Sequence, residues 1–350
     1  MAKEDVIILE RQVSESVHGS SRDYHRESQR STPSRPSFEK PTHIDHGFSG
    51  PDPNLVWSRT RSTFQDAFSE FWGTFIFLIF GFGVNAQSTL SDSAKRNWTS
   101  VAIGWGAGIM LGAYTASSSG GHLNPCVTLT LCVYRRFPWR KFPAYALAQT
   151  LAGFCAAAVI YGNYKSAIEV FEGGVGIRTV PGGILSVTAD GTQTSTATAG
   201  MFATYPTPFI SRTGAFFSEF LASAVLMLVI LRLTDPKTGA GKLTPIALAF
   251  TFFGITVSLG WETSFAINFA RDFGPRVFTS LVGYGGAVWS AGGWYFWIPI
   301  VAPFLGCLSG AWLHDMFLFD GESPINTPWV GLRRLVQRER KMEGRPETWV

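Results

Sequence analysis

Six stretches of this sequence are apolar for about twenty residues each, near 66–88, 98–118, 142–162, 214–233, 243–261 and 294–317. A hydrocarbon core of roughly 30 Å needs about that many helical residues, and lipid offers no hydrogen bond to an exposed backbone. The pattern therefore predicts an all-α polytopic membrane protein with six transmembrane helices. Two more segments, 124–134 and 268–281, have helical composition but only about half the length a span needs. The charges fall around this pattern. Only 15% of the 350 residues are charged, and they gather in the first sixty or so, the short loops and the last twenty. Residues 1–64 are polar and too poor in aliphatic side chains to build a core, so a disordered tail is expected there, with a second tail over 319–350. No apolar block follows Met1, so insertion is expected to rely on the first span rather than a signal peptide.

Orientation follows from the basic residues. Arg135, Arg136, Arg140 and Lys141 lie between spans two and three, Arg232, Lys237 and Lys242 between four and five, and Arg333, Arg334, Arg338, Arg340 and Lys341 after six. The positive-inside rule puts those loops and both termini on the cytoplasmic side of a membrane, expected to be the plasma membrane. The loop near 163–213, poor in charge, is then external. Asn97-Trp98-Thr99, in the first external loop, fits a glycosylation sequon close to the membrane.

The chain also repeats itself. Ser69-Glu70-Phe71 opens span one and Ser218-Glu219-Phe220 opens span four, while Asn124 and Asn268 each begin a half-length helix. Three spans and a half helix thus occur twice. Three is odd, so the second copy is inverted, an arrangement that brings two half-helix N-termini together near the midplane. Glu70 and Glu219 lie within spans, where an ionised acid facing lipid costs about 2.5–3.5 kcal/mol, so both should face inward and find partners.

Other signals point away from catalysis. The four cysteines show no C-x-x-C and no histidine at metal-ligand spacing, so buried thiols are expected and neither metal nor cofactor. Gly104, Gly108 and Gly112, and Gly306 with Gly310, have the spacing of close helix packing. No triad or nucleotide loop stands in a plausible context, so no enzyme is expected. The net charge of +4 is spread between spans and implies no nucleic-acid partner.

The segments SGGHLNPCVT (119–128) and SFAINFARDFGPR (264–276) resemble the paired signatures of the aquaporin and aquaglyceroporin channels, the major intrinsic proteins. The resemblance covers about 65–318 and implies a channel domain with inverted repeats near 65–162 and 213–318, assembled as a homotetramer in the lipid bilayer. It implies that Asn124 and Asn268 meet at the pore centre and present amide donors to one passing oxygen. It gives Glu70 and Glu219 structural roles, holding the His122 loop and the loop before Asn268. Arg271 is implied at an outer constriction with Trp105, Phe265 and, if span five aligns without a gap, Thr256. The carbonyls of Gly120, Gly121, His122 and Ala266 are implied as acceptors along the path. Phe265 stands where glycerol-conducting members have an aromatic ring. Asp272, Arg276 and the Pro299-Ile300 pair also match that branch, so a passive channel for glycerol, small neutral polyols and water is expected.

Two positions depart from the family pattern. Cys126 stands where Ala is usual, and Phe269 where Pro is usual, at the first turn of the second half helix. Proline there fixes φ and lacks an amide hydrogen that a helix start leaves orphaned; Phe keeps that donor and adds a ring. Packed between the half helices, the ring leaves the path open. Swung inward, it makes the protein a gated or non-conducting osmosensor or scaffold. A channel for water or peroxide alone, and a proton-coupled transporter using Glu70 or Glu219, are the remaining alternatives.

Overall fold

A computed structural model describes residues 54–91, 97–182, 186–187, 193–194 and 196–327. Its helices are α1 (Val56–Thr63), α2 (Gln65–Leu90), α3 (Trp98–Thr115), α4 (Pro125–Tyr134), α5 (Phe142–Phe171), α6 (Arg212–Leu233), α7 (Thr244–Leu259), α8 (Phe269–Thr279), α9 (Ala287–Trp294) and α10 (Ile298–Phe317). Among the described residues the one strand pair is Ser186–Val187 with Gln193–Thr194, so the fold is all-α.

Five segments are long and apolar enough to cross a membrane: Gln65–Leu90, Phe142–Phe171, Arg212–Leu233, Gly241–Leu259 and Ala287–Phe317. The remaining span, α3, is 18 residues long and contains four glycines and two tryptophans. Those glycines serve its packing. A Cβ on Gly112 would lie 2.6 Å from the Gly73 carbonyl oxygen, and one on Gly108 2.7 Å from that of Phe77, so α3 meets α2 backbone to backbone. The second repeat does the same, with Gly306 and Gly310 of α10 against the Phe220 and Ala224 carbonyls of α6.

Packing follows the repeat. α2 lies against α3 and α5, and α6 against α7 and α10. Each half helix then packs on the last span of the opposite repeat, α4 on α10 and α8 on α5, while α3 meets α7 across the middle. At the α5–α8 contact a Cβ on Gly153 would lie 2.4 Å from the Ala270 carbonyl. The largest buried cluster joins Phe77, Phe82, Trp105, Phe252 and Phe265 from both repeats.

Two expectations need correction. Residues 56–63 form helix α1 rather than continuing the tail, with Trp57 against Phe68 of α2 at 5.9 Å between ring centroids. Residues 1–53 lie outside the described part. Helix α5 runs nine residues past its expected end at 162, because Tyr164 to Phe171 keep helical spacing and bury Ile168. The last span starts close to the expected 294, with a 3-10 turn over Tyr295–Trp297 leading into α10, because Ala291, Gly292, Gly293 and Trp294 leave helical φ/ψ.

The described part of the C-terminal segment crosses the end of α10. Arg135 pairs with Asp315 at 2.6 Å and covers the Phe319 ring at 4.2 Å, Lys237 meets Asp320 at 3.0 Å, and Arg136 meets Glu322 at 2.8 Å. The bond to Lys237 holds the Asp320 carboxyl below its ordinary pKa. Residues 328–350 lie outside the described part.

Candidate functional site

Each half helix starts at an asparagine in extended backbone, and each asparagine caps its own helix. Asn124 Oδ1 accepts from the Cys126 N–H at 2.9 Å, and Asn268 Oδ1 from those of Ala270 and Arg271 at 2.9 and 3.3 Å. The amide nitrogens cross between repeats. Asn124 Nδ2 donates to the Ile267 carbonyl at 2.9 Å, and Asn268 Nδ2 to that of Leu123 at 2.8 Å. A primary amide has two N–H groups, so one donor of each asparagine braces the junction and one is left over.

The loops entering these helices take unusual backbone. Leu123 (φ 54°), Phe265 (φ 42°) and Ile267 (φ 42°) occupy the left-handed region without being glycine, at about 1–3 kcal/mol each. Two buried carboxylates hold them. Glu70 accepts from the N–H groups of His122 and Leu123 at 3.0 and 2.8 Å, and Glu219 from those of Ala266 and Ile267 at 2.9 and 2.8 Å. Glu70 accepts two further bonds, from Ser119 Oγ and Gln149 Nε2, both at 2.7 Å. With their N–H groups turned to the carboxylates, none of the described hydrogen bonds ends on the carbonyls of Gly120, Gly121, His122 or Ala266. The His122 ring packs between Phe137 and Tyr145, its Nδ1 3.2 Å from Thr128 Oγ1.

A cavity of about 760 Å³ reaches the junction from one side. Asp235 and Lys242 stand at its mouth, Val127, Leu131, Leu226, Ile230, Leu248 and Phe252 line much of its wall, and Gly120, Gly121 and His122 form a polar stripe. It ends on Asn124 and Asn268.

Beyond the junction, three side chains converge. The rings of Trp105 and Phe265 stand edge to face, with centroids 5.5 Å apart. Arg271 Cζ lies 4.5 Å from the Trp105 ring centroid and 5.9 Å from that of Phe265. Its Nη1 donates to the Phe202 carbonyl at 2.9 Å, while Nε has no protein partner. One face of the guanidinium thus meets aromatic rings, and other N–H groups remain for a bound oxygen. Thr256 is fully buried on α7, but its hydroxyl has no partner, and its carbonyl accepts from Trp98 Nε1 at 2.9 Å. No contact ties that hydroxyl to the Trp105, Phe265 and Arg271 group.

Asp272 and Arg276 form a buried ion pair beside this group. Asp272 Oδ1 accepts from Arg276 Nε at 2.8 Å, and its Oδ2 from the N–H and hydroxyl of Thr204 at 2.7 and 2.6 Å. Arg276 also donates to the carbonyls of Val288 and Thr204. The pair ties α8 to the long loop ahead of α6 and to α9. Pro299 and Ile300 lie in the first turn of α10, Pro299 buried and Ile300 half-buried.

The two departures sit together. Phe269 stacks on Phe273 at 4.9 Å and tilts against Phe304 of α10 at 6.0 Å, and it is no part of the cavity wall. Cys126 is fully buried in a cluster with Met227, Leu231 and Cys307, against which the Phe269 side chain packs. All four cysteines are free, and no metal-binding group occurs among the described residues.

Sequence reasoning missed Phe202, Thr204 and Gln149. A lone glutamine within a span was a readable signal for Gln149. The loop residues Phe202 and Thr204 carried none, because their contacts form only in three dimensions. Asn97 caps α3, its Oδ1 accepting from the Thr99 N–H at 2.8 Å.

Residues 57–314 match the family model described as Major intrinsic protein. Aquaglyceroporin-9 of Botryotinia fuckeliana is 55% identical over 285 residues, covering 81% of this chain, which spans 60% of that relative's length. Probable aquaglyceroporin-2 of Gibberella zeae is 55% identical over 291 residues, covering 83% of each chain. Among solved structures, the X-ray structure of the aquaglyceroporin from Plasmodium falciparum matches with a TM-score of 0.62 at 29% identity. That match covers 73% of this chain and 96% of the other.

Proposed function

The chain belongs to the major intrinsic protein family, whose members are passive channels and not enzymes, and from that premise we propose that it conducts glycerol, similar small neutral polyols and water. The observation that carries the glycerol reading is the convergence of Trp105, Phe265 and Arg271. Glycerol has a carbon edge and a hydroxyl edge. Two rings at right angles offer an apolar corner to the first, and the free N–H groups of Arg271 offer donors to the second. The carbonyls of Gly120, Gly121, His122 and Ala266 supply acceptors along the same path.

Ions and protons are excluded by charge and donor direction. A unit charge about 5 Å from a passing cation costs roughly 3 kcal/mol at an effective dielectric near 20. At the junction, two half-helix N-termini add about half a positive charge each. The remaining N–H of Asn124 and of Asn268 holds a passing oxygen as acceptor, so the molecule's own hydrogens point away along the path and the proton wire is interrupted. Asp272, Arg276, Pro299 and Ile300 hold the outer mouth wide enough for a polyol. Residues 65–318 form the conducting unit, one pore in each subunit of a homotetramer, in the plasma membrane with both termini cytoplasmic.

The packing of Phe269 against Phe273 and Phe304 favours an open path over a blocked one. Stopped-flow light scattering on proteoliposomes tests the reading. Fast glycerol re-swelling without collapse of an imposed pH gradient is expected. Glycerol permeability equal to that of empty vesicles would refute it.

A further inference from the structure

The sequence places a polar residue, Asn85, one turn from the end of the first span, three positions after Phe82 and so on the same helical face. That face meets the constriction. The Phe82 ring lies 6.0 Å from that of Trp105 and 6.2 Å from that of Phe202, and 5.7 Å from Arg271 Cζ. Asn85 makes two hydrogen bonds from this position. Its Oδ1 accepts from Trp105 Nε1 at 3.1 Å, and its Nδ2 donates to the Met201 carbonyl at 3.2 Å. One partner needs an acceptor and the other a donor, so the two bonds together fix which way the amide points.

One partner is a constriction side chain, and the other adjoins the residue that anchors Arg271. Trp105 is fully buried and forms one wall of the constriction. Met201 ends a short 3-10 turn, and the next residue, Phe202, offers the carbonyl that holds Arg271 Nη1. A single amide thus joins the aromatic wall to the segment that anchors the cation. The Trp105 N–H has no other partner among the described hydrogen bonds. Without Asn85 it becomes a buried orphan donor, and the ring is free to turn toward any acceptor within reach.

We propose that Asn85 is a positioning residue for solute selection, holding the Trp105 ring and the Met201-Phe202 segment at a fixed separation so that the constriction fits a polyol. The proposal rests on the glycerol-channel reading above. Glycerol needs its carbon edge against a fixed ring face, whereas water passes on hydrogen bonds to Arg271 and the carbonyl stripe. Loss of Asn85 therefore acts on the two solutes unequally.

The test measures glycerol and water permeability of the full-length protein in proteoliposomes, for wild type, N85L, W105F and the N85L/W105F double variant. N85L is expected to lower glycerol permeability about tenfold, the effect of one orphaned buried donor, with water permeability within about twofold of wild type. In the W105F background, where the indole N–H is gone, the same change is expected to have little further effect. Should N85L not assemble, N85S, too short to reach both partners, is read in the same way. An unchanged glycerol-to-water ratio, an equal fall in both, or a full additional effect in the W105F background would overturn the proposal. Wild-type vesicles lacking glycerol flux would instead overturn the channel reading itself.

Discussion

At the residue scale, the account turns on Cys126 and Phe269, which meet in one cluster. Phenylalanine adds a ring at a helix start, and cysteine adds a buried thiol to the cluster on which that ring packs. The stability effects should be coupled. Cys126→Ala is expected to cost about 1 kcal/mol in the natural background, where it opens space in the cluster that holds the Phe269 ring, and less beside Phe269→Pro, where that ring is absent. A double-mutant cycle on thermal melting measures the difference, and strict additivity would mean the two residues are independent. Asp272 gives a larger prediction. Asp272→Asn leaves the buried Arg276 guanidinium without its counter-charge and is expected to cost about 3–5 kcal/mol, read from denaturation in detergent. A loss under 1 kcal/mol would show that the carbonyls of Val288 and Thr204 suffice for Arg276.

At the element scale, close helix approach sets where the Trp105 ring stands. A Cβ on Gly81 of α2 would lie 2.4 Å from Trp105 Cζ3, so the glycine is what lets the indole lie flat against the helix. Gly81→Ala must displace the ring, and overpacking of this kind costs about 1–3 kcal/mol. Glycerol flux is expected to fall steeply while the helical circular dichroism is kept; unchanged flux would mean that the ring is no wall of the path. The loops ahead of the half helices depend on their carboxylates in the same way. Glu219→Gln presents an NH2 where Ala266 or Ile267 needs an acceptor, and a lowered melting temperature is expected. At the end of α10, the bond from Lys237 depresses the Asp320 pKa. That contact is therefore fully formed above the ordinary carboxylate range and lost as pH falls through the depressed value. Amide exchange over 318–327 is expected to quicken only in acid.

At the scale of the whole molecule, much of the architecture could be read from the chain because a bilayer permits so few solutions. Span length, positive loops and a repeated Ser-Glu-Phe with a repeated Asn led to six helices and two half helices. Element ends were less legible. Val56–Thr63 is helical beside a polar tail, and α5 continues past the apolar stretch, because helical spacing outlasts hydrophobicity at both places. In the candidate site, the asparagines and carboxylates announced themselves as polar groups in apolar sequence. Phe202 and Thr204 did not, since they act through contacts across most of a repeat, one of them through a backbone carbonyl that any residue carries. Nor did the sequence say which way Phe269 turns, which its packing on Phe273 and Phe304 answers.

That packing leads to the central claim, an open path that selects for glycerol. The most direct measurement is the temperature dependence of glycerol permeability in proteoliposomes carrying the full-length protein, beside empty vesicles. The account predicts fast flux with a shallow temperature dependence, close to that of diffusion in water, and its loss in Phe265→Trp. Flux no faster than through lipid, with the steep temperature dependence of lipid, would mean that the path is closed and would contradict the account.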